Sequence, residues 1–149
     1  MEIRRAIPAD AKKIAEAEGI IFPDPWSERD VVDTICASGA MCYVALSDTG
    51  ELRAYVIGRK IVPEGEIYRI ATLPEYRRRG VASRLLSYAV KTERGKGLET
   101  LFLEVREKNI AARSLYKSMG FREIGRRKNY YSVPTDNARV LLLSAKEDF

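Results

Sequence analysis

Eleven segments with a regular hydrophobic pattern follow one another along the chain, separated by turn signals. Strand-like alternation and helical spacing give the order β-α-α-β-β-β-α-β-α-β-β. This order predicts an α+β fold, an α/β/α sandwich in which four helices cover a mixed, mostly antiparallel sheet of about seven strands. The 149 residues suffice for one domain with a substantial core, so we expect a single domain over residues 1–149.

Helix caps and helix-breaking residues give the expected boundaries of the helices. Two prolines in "FPDPW" end the first helix, because proline cannot continue a helix. Ser27 and Asp30 resemble a capping box at the start of the second helix. The helices run from Pro8 to about Ile21, from Ser27 to near Gly39, from Gly80 to near Gly95 and from Asn109 to Met119. The strands lie around Ile3 and in "MCYVALS", "RAYVIGRKIV", "EIYRIATL", "TLFLEV", "FREIGRRKNYY" and "ARVLLLSA".

Composition excludes several classes of function. The chain has no histidine, which removes histidine-based triads and most zinc sites, so we expect no metal. Cys36 and Cys42 lack metal-ligand or disulfide-framework spacing and predict reduced thiols in a cytoplasmic protein. No signal peptide and no apolar run near ~20 residues is present, so we expect no membrane partner. The net charge of +5 suits an anionic partner without demanding nucleic acid.

The stretch "EYRRRGVASRLL" places three consecutive arginines where a strand passes into a helix. A helix N-terminus already carries partial positive charge, so cations are unfavourable there unless an anion binds. Arg77, Arg78 and Arg79 would supply donors, and Gly80 would let the backbone approach a phosphate closely. A solvated basic turn would show the same tripeptide, but the position between strand and helix favours a pyrophosphate site.

"RRRGVA" matches the [QR]-x-x-G-x-[GA] signature of the GCN5-related N-acetyltransferases (GNAT), and the chain resembles this family over nearly its whole length. "FPDPWSE", "RIATLPEYRRRGVASRLL", "LFLEVREKNIAARSLYKSMGF" and "RRKNYY" follow the order seen in its ribosomal-protein-alanine N-acetyltransferases, the RimI group. The resemblance implies the GNAT fold and acetyl-CoA as cosubstrate. It implies cofactor binding by the signature, the preceding strand and the fourth helix, through Ile70, Ala71, Thr72, Arg77, Arg78, Arg79, Gly80, Val81, Ala82, Ser83 and Asn109.

Two residues are candidates for the proton transfers of acetylation. Glu104 lies on the polar face of its strand, where it suits either a general base or an exposed ion pair with an arginine such as Arg106. By helical pattern alone, Tyr116 is a half-buried aromatic residue of the core. The resemblance assigns Glu104 as general base and Tyr116 as general acid, because "LFLEV" and "NIAARSLY" keep the spacing of the family.

Trp26, Tyr130 and Tyr131 are further candidates for binding the acceptor. Their pattern alone also allows ordinary positions at the edge of the core. The resemblance implies that their loops border the groove that receives a protein N-terminus. The basic stretch from Arg122 to Lys128 is by pattern a solvated strand face that could also attract an acidic or ribonucleoprotein partner.

The sequence leaves three functions open. The first is acetylation of a protein N-terminus, with the N-terminal alanine of a small-subunit ribosomal protein as the first acceptor. The second is acetylation of a lysine or a small-molecule amine. The third is a basic module that binds RNA or ribosomes without catalysis. No stacking platform or RNA-recognition motif is found, so we expect no direct nucleic-acid role.

Overall fold

The computed structural model describes residues 1–145. Its elements are β1 (Glu2–Arg5), α1 (Ala11–Ile21), α2 (Glu28–Ile35), β2 (Tyr43–Leu46), β3 (Leu52–Ile61), β4 (Glu64–Thr72), α3 (Val81–Arg94), β5 (Thr100–Arg106), α4 (Ile110–Ser118), β6 (Arg122–Ser132) and β7 (Thr135–Ser144). Short 3₁₀ turns precede α1 and α3. The predicted order of strands and helices is confirmed, while the last four residues of the expected domain range lie outside the described part.

All seven strands form one sheet in the order β1-β2-β3-β4-β5-β7-β6. The neighbours β4 and β5 are parallel, and the other neighbouring strands are antiparallel. A parallel pair needs a crossover connection, and α3 provides it between β4 and β5. The predicted mixed, mostly antiparallel sheet is therefore confirmed.

Apolar side chains pack on both faces of the sheet. On one face, Leu85 of α3 and Tyr116 of α4 join a cluster with Leu103 of β5. On the other face, Ile14 of α1 and Val31 of α2 join a second cluster. Fully burying one such aliphatic side chain is worth about 1.5–3 kcal/mol, so each helix pair is held to the sheet mainly by its apolar face.

The helix α2 is shorter than the sequence predicts. It begins as expected, because the Asp30 N–H donates to the Ser27 hydroxyl at 3.1 Å. It ends at Ile35 and not near Gly39. The chain leaves the helix to meet β3, where the Lys60 N–H donates to the Gly39 carbonyl at 2.8 Å. That long-range bond competes with continued helix, and no local pattern reports it.

Strand β4 is irregular just before it separates from β5. Its register against β3 shifts between Ile57 and Gly58, which leaves Tyr68 as an extra, bulged residue. A Cβ on Gly58 would lie only 2.5 Å from the Glu66 carbonyl oxygen, so this close approach of two strands requires glycine.

Beyond the bulge, β4 and β5 separate. Their pairing ends at Ile67 and Leu103, although β4 continues to Thr72 and β5 to Arg106. The two carboxyl-terminal ends therefore border an open crevice. Crevices at the carboxyl ends of parallel strands are common ligand sites.

Candidate active site

The loop after β4 and the first turn of α3 line one side of the crevice. Six consecutive amides, those of residues 78–83, donate to no acceptor among residues 1–145. The Arg77 N–H is bonded to Pro74, and the Arg84 N–H is the first to bond back, to the Gly80 carbonyl at 3.1 Å. Unpaired amides at a helix N-terminus, together with the helix dipole, favour an anion such as a phosphate.

The backbone of this loop is shaped to leave space over the amides. Arg78 and Gly80 have positive φ angles of 64° and 72°. Glycine adopts this region freely, whereas a residue with a Cβ is strained there. Apart from Gly80 and the adjoining backbone, no atom of residues 1–145 lies within 4 Å of the place that a Cβ on Gly80 would take. The open space and the amides fit the pyrophosphate of acetyl-CoA.

The three arginines of the loop have different surroundings. The Nε of Arg77 donates to the Thr72 carbonyl at 3.0 Å and ties the loop to β4. Arg78 and Arg79 are exposed and form no ion pair with another residue in the 1–145 range. Their charges are therefore available to an anion at the amides.

Alternate peptide groups of β4 face the crevice. Just past the strand, the Leu73 N–H donates to the Arg53 carbonyl at 2.9 Å, toward the β3 side. Because this orientation alternates along a strand, the peptide group of Ala71 also faces β3, and those of Ile70 and Thr72 face the opening toward β5. Of the three β4 residues predicted to bind the cofactor, Ile70 and Thr72 can offer backbone donors, whereas Ala71 packs against the α1–α2 side.

Glu104 is the first residue of β5 beyond its last pairing with β4. Its side chain is 17% exposed and lies 3.0 Å from the Nε of Arg127, whose side chain is 58% exposed. The arginine ion pair that the sequence allowed is therefore present, but with Arg127 and not with Arg106. Because the Arg127 side chain is more than half exposed, solvent screens this ion pair, which therefore contributes little free energy.

Arg106 instead supports the β6–β7 hairpin. Its guanidinium donates to the carbonyls of Val133 and Pro134 at 3.0 and 2.7 Å. It also lies 4.3 Å from the centre of the Tyr131 ring. Arg106 thereby holds in place Tyr131, one of the residues predicted to bind the acceptor.

Tyr130 and Tyr131 stand together beside Glu104. Their rings are 5.1 Å apart and meet edge to face. The negative charge of Glu104 raises the pKa of Tyr130. Burial, and then the charge of Glu104, raise the pKa of Tyr131 to about 12. Both phenols are thus neutral donors near pH 7, close to the predicted base.

Tyr116 approaches from the opposite face of the sheet. Its ring is buried 5.6 Å from the Phe121 ring, and burial, then Tyr131, raise its pKa above the ordinary value. Within residues 1–145, Arg53 Nε is the single fully buried side-chain nitrogen or oxygen without a partner. The Tyr116 hydroxyl has no hydrogen-bond partner there either, so it is not fully enclosed.

Trp26 lies in the α1–α2 connection, beside β4. Its ring is 6.1 Å from the ring of the bulged Tyr68. Its backbone N–H donates to Glu18 at 3.0 Å. The residues predicted to bind the acceptor therefore fall into two groups, with Trp26 next to β4 and the tyrosine pair next to β5.

Asn109 caps α4. Its side-chain oxygen accepts the Ala112 N–H at 3.2 Å, which confirms the cap expected from the sequence. The residue is exposed, and its amide NH₂ has no partner among the described residues. A contact of this NH₂ group with the cosubstrate stays a prediction.

Sequence reasoning missed Tyr68 and Arg127 as neighbours of the site. Gly58 was the only local signal for Tyr68, because a glycine inside a strand often marks a bulge. Arg127 belongs to the basic stretch, which the sequence treats as a solvated face. Its contact with Glu104 depends on the β5-β7-β6 order, which no local pattern reveals.

Residues 1–145 contain no group of three or more cysteine, aspartate and glutamate side chains placed to hold a metal ion. In the same range, no helix has both the length and the apolar character needed to cross a membrane.

Comparison with known proteins agrees with this geometry. The model of the acetyltransferase (GNAT) family matches residues 11–121, well over half of the chain. The [ribosomal protein bS18]-alanine N-acetyltransferase of Escherichia coli K12 is 36% identical over 117 residues, which cover 77% of this chain and 75% of the relative. The N-alpha-acetyltransferase RimI of Mycobacterium tuberculosis is 37% identical over 139 residues, covering 89% and 85%.

A solved structure shows the same fold. The crystal structure of the ribosomal-protein-S18-alanine N-acetyltransferase from Escherichia coli superposes with a TM-score of 0.90. The superposition covers 99% of this chain and 96% of the other, at 27% sequence identity.

Proposed function

The chain belongs to the GNAT family of acetyltransferases, and on that premise we propose that it acetylates the α-amino group of a protein N-terminus. Family membership confirms the predicted enzyme class, an acyltransferase, and acetyl-CoA as cosubstrate. The N-terminal alanine of the ribosomal protein bS18 is the first candidate acceptor, because a relative that is 36% identical over 117 residues is named for that reaction. A ribosomal acceptor also favours action in the cytoplasm, and we propose one acetyltransferase domain over residues 1–149.

One observation carries the proposal: the crevice between β4 and β5 has on one side amides without an acceptor among residues 1–145, and on the other a carboxylate with two tyrosines. The amides of residues 78–83 would bind the pyrophosphate. The peptide groups of Ile70 and Thr72 would hold the pantetheine arm and donate to the thioester carbonyl. Acetyl-CoA, when bound, supplies the activated acetyl group.

Glu104 would take the proton from the amine, directly or through one water. A protein α-amino group has a pKa of about 7.7–8.0, against about 10.4 for lysine. Near pH 7.4, roughly a quarter of α-amino groups are already neutral, but only about a thousandth of lysines. An N-terminal acceptor therefore needs little help from its base, and a carboxylate at Glu104 suffices.

Tyr116 would supply the proton that the leaving thiolate needs. Burial holds the pKa of its phenol above the ordinary value, so the acid form is present throughout the physiological range. The hydroxyl has no protein partner to compete for its proton among the described residues. A neutral, poorly solvated phenol beside a developing thiolate is a suitable general acid.

Release of free CoA tests the proposal. The enzyme is mixed with acetyl-CoA and a peptide that begins with alanine, and a thiol reagent follows CoA over time. The matched control is the same peptide with its N-terminus already acetylated. We expect steady release with the free peptide and background release with the control. Equal release from both would contradict the proposal, because the blocked peptide offers no α-amino group to acetylate.

A further inference from the structure

Glu18 of α1 is fully buried although it carries a carboxylate. It accepts hydrogen bonds from three separate elements: from the Tyr55 hydroxyl of β3, from the Trp26 N–H at 3.0 Å, and from Nε and Nη2 of Arg69 of β4 at 2.9 and 2.7 Å. A buried charge is tolerated only when it is paired and hydrogen-bonded, and Glu18 meets both conditions.

Arg69 extends these contacts to the connection between α1 and α2. Its Nη2 donates to the Asp24 carbonyl at 3.1 Å. Its guanidinium carbon lies 4.0 Å from the centre of the Phe22 ring. The planar guanidinium thus bridges Glu18, a loop carbonyl and an aromatic ring at once, a combination that lysine cannot reproduce.

The connection itself, residues 22–27, has no regular secondary structure and contains two prolines. We call it the acceptor loop, because it carries Trp26. Its position depends on contacts with the rest of the chain. Three of these contacts, at Phe22, Asp24 and Trp26, run through Glu18 or Arg69.

Arg69 occupies a critical place in β4. It follows the bulged Tyr68 and precedes Ile70, whose peptide group faces the crevice. The Glu18–Arg69 ion pair therefore joins the acceptor loop to β4.

We propose that Glu18 and Arg69 form a positioning pair that holds the acceptor loop against β4 and so sets the groove for the acceptor. The proposal rests on the proposed function only in taking Trp26 as part of that groove. Neither residue touches the reacting atoms. The pair should therefore govern acceptor binding and leave acetyl-CoA binding unchanged.

A second buried glutamate provides a matched control. Glu93 of α3 is 1% exposed and is bonded to the Tyr43 hydroxyl and to Lys60 Nζ. The chemistry matches that of Glu18: one carboxylate, one tyrosine and one cation. It packs with the α3–α4 cluster on the other face of the sheet and touches no part of the acceptor loop.

The test compares two double variants. Removing one member of a buried ion pair leaves an unpaired charge, whereas removing both avoids that penalty. We therefore compare Glu18→Gln with Arg69→Met, made together, against Glu93→Gln with Lys60→Met. The measurements are the KM and kcat for an alanine peptide, the affinity for CoA by calorimetry, and the fluorescence of Trp26, the single tryptophan of the chain.

For the Glu18/Arg69 double variant we expect the KM for the peptide to rise about tenfold or more, with kcat within about threefold and CoA affinity within about twofold. Trp26 emission should shift to the red, and its quenching by acrylamide should increase. The Glu93/Lys60 double variant should keep the wild-type KM and Trp26 fluorescence, whatever the change in its thermal stability.

An unchanged KM and unchanged Trp26 fluorescence in the Glu18/Arg69 double variant would overturn the proposal. Equal changes in both double variants would also overturn it, because general loosening would then explain them. If the first double variant fails to fold, Arg69→Lys serves the same comparison, since it keeps the charge and loses the fork. If the wild-type enzyme does not acetylate the peptide, the proposed function fails, and Trp26 quenching still decides the positioning role.

Discussion

The two sides of the crevice differ in the groups that form them: backbone amides on one side and side chains on the other. The side proposed to bind acetyl-CoA, the donor side, is backbone: six consecutive amides, at residues 78–83, have no acceptor within residues 1–145, and open space lies beside Gly80. The proposed acceptor side consists of side chains from distant segments, with Trp26 from the α1–α2 loop, Glu104 from β5 and the tyrosine pair from β6. A backbone site binds any ligand with the right phosphates. A side-chain site can change its acceptor when a few residues change.

Among these variants, Tyr116→Phe should have the largest effect on activity. Tyr116→Phe removes the proton donor and almost no volume. We expect kcat to fall about 10²–10³-fold, with CoA affinity unchanged. Steady-state kinetics and calorimetry measure both. Tyr88→Phe, on the exposed side of α3, is the matched control and should behave as wild type.

The sign of the pH dependence follows from the burial of Tyr116. Its pKa is raised, so the phenol is protonated below the ordinary value of about 10 and loses its proton only above it. Wild-type activity should therefore show no decline from this group below about pH 10. A decline beginning near pH 8, absent in Tyr116→Phe, would contradict the assignment.

Gly80→Val should disrupt the donor side and leave the acceptor side intact. Valine would fill the space above the amides and strain a φ of 72°. We expect CoA affinity to fall about 100-fold, equivalent to about 2.7 kcal/mol. Gly50→Val is a close control, because Gly50 has a φ of 85° and equally open surroundings in the β2–β3 turn. It should lose similar stability and keep CoA affinity by calorimetry. Loss of affinity in both variants would show backbone strain and not a blocked site.

Glu104→Gln should break the acceptor side in a pH-dependent way. We expect activity at pH 7 to fall about 100-fold, the scale of losing a general base. The neutral fraction of an α-amino group rises from about a tenth at pH 7 to about nine-tenths at pH 9. The variant should therefore regain about tenfold in rate over that range, more than wild type does. A constant ratio of variant to wild type across pH would argue against a base role.

The smallest expected effect is that of Arg127→Gln. The arginine is more than half exposed, and exposed ion pairs are worth about 0.2–1 kcal/mol. We expect kcat/KM for the peptide to change less than about fivefold. A change beyond about 50-fold would mean that Arg127 itself contacts the acceptor or the cosubstrate.

The same contrast explains which features of the fold and the site can be predicted from the sequence. Local spacing predicts the Arg77–Gly80 loop, the Asn109 cap and the start of α3, because each depends on residues within one helical turn of each other. Local spacing does not predict the partner of Glu104: the sequence suggested Arg106, whereas the sheet order brings Arg127 to it. The end of α2 was also missed, because a bond to Lys60 in a distant strand decides it.

Glu18 was missed although one local signal existed. It stands four residues after Ile14 and one after Ala17, on the buried stripe of α1, where an acidic residue is out of place. Such a residue predicts a buried partner. Finding Arg69, 51 positions further along, requires the packing of α1 against β4. Local spacing alone therefore does not predict side-chain sites that join distant segments.

We propose that the enzyme acetylates protein N-termini, and one peptide tests this most directly. The peptide begins with a free alanine, carries an internal lysine, and thus offers both amines to the same enzyme molecule. After incubation with acetyl-CoA, fragment-ion mass spectrometry locates the acetyl group. We expect modification of the N-terminal amine, with the lysine unmodified over the same period. Acetylation of the lysine at an equal or greater rate would contradict it.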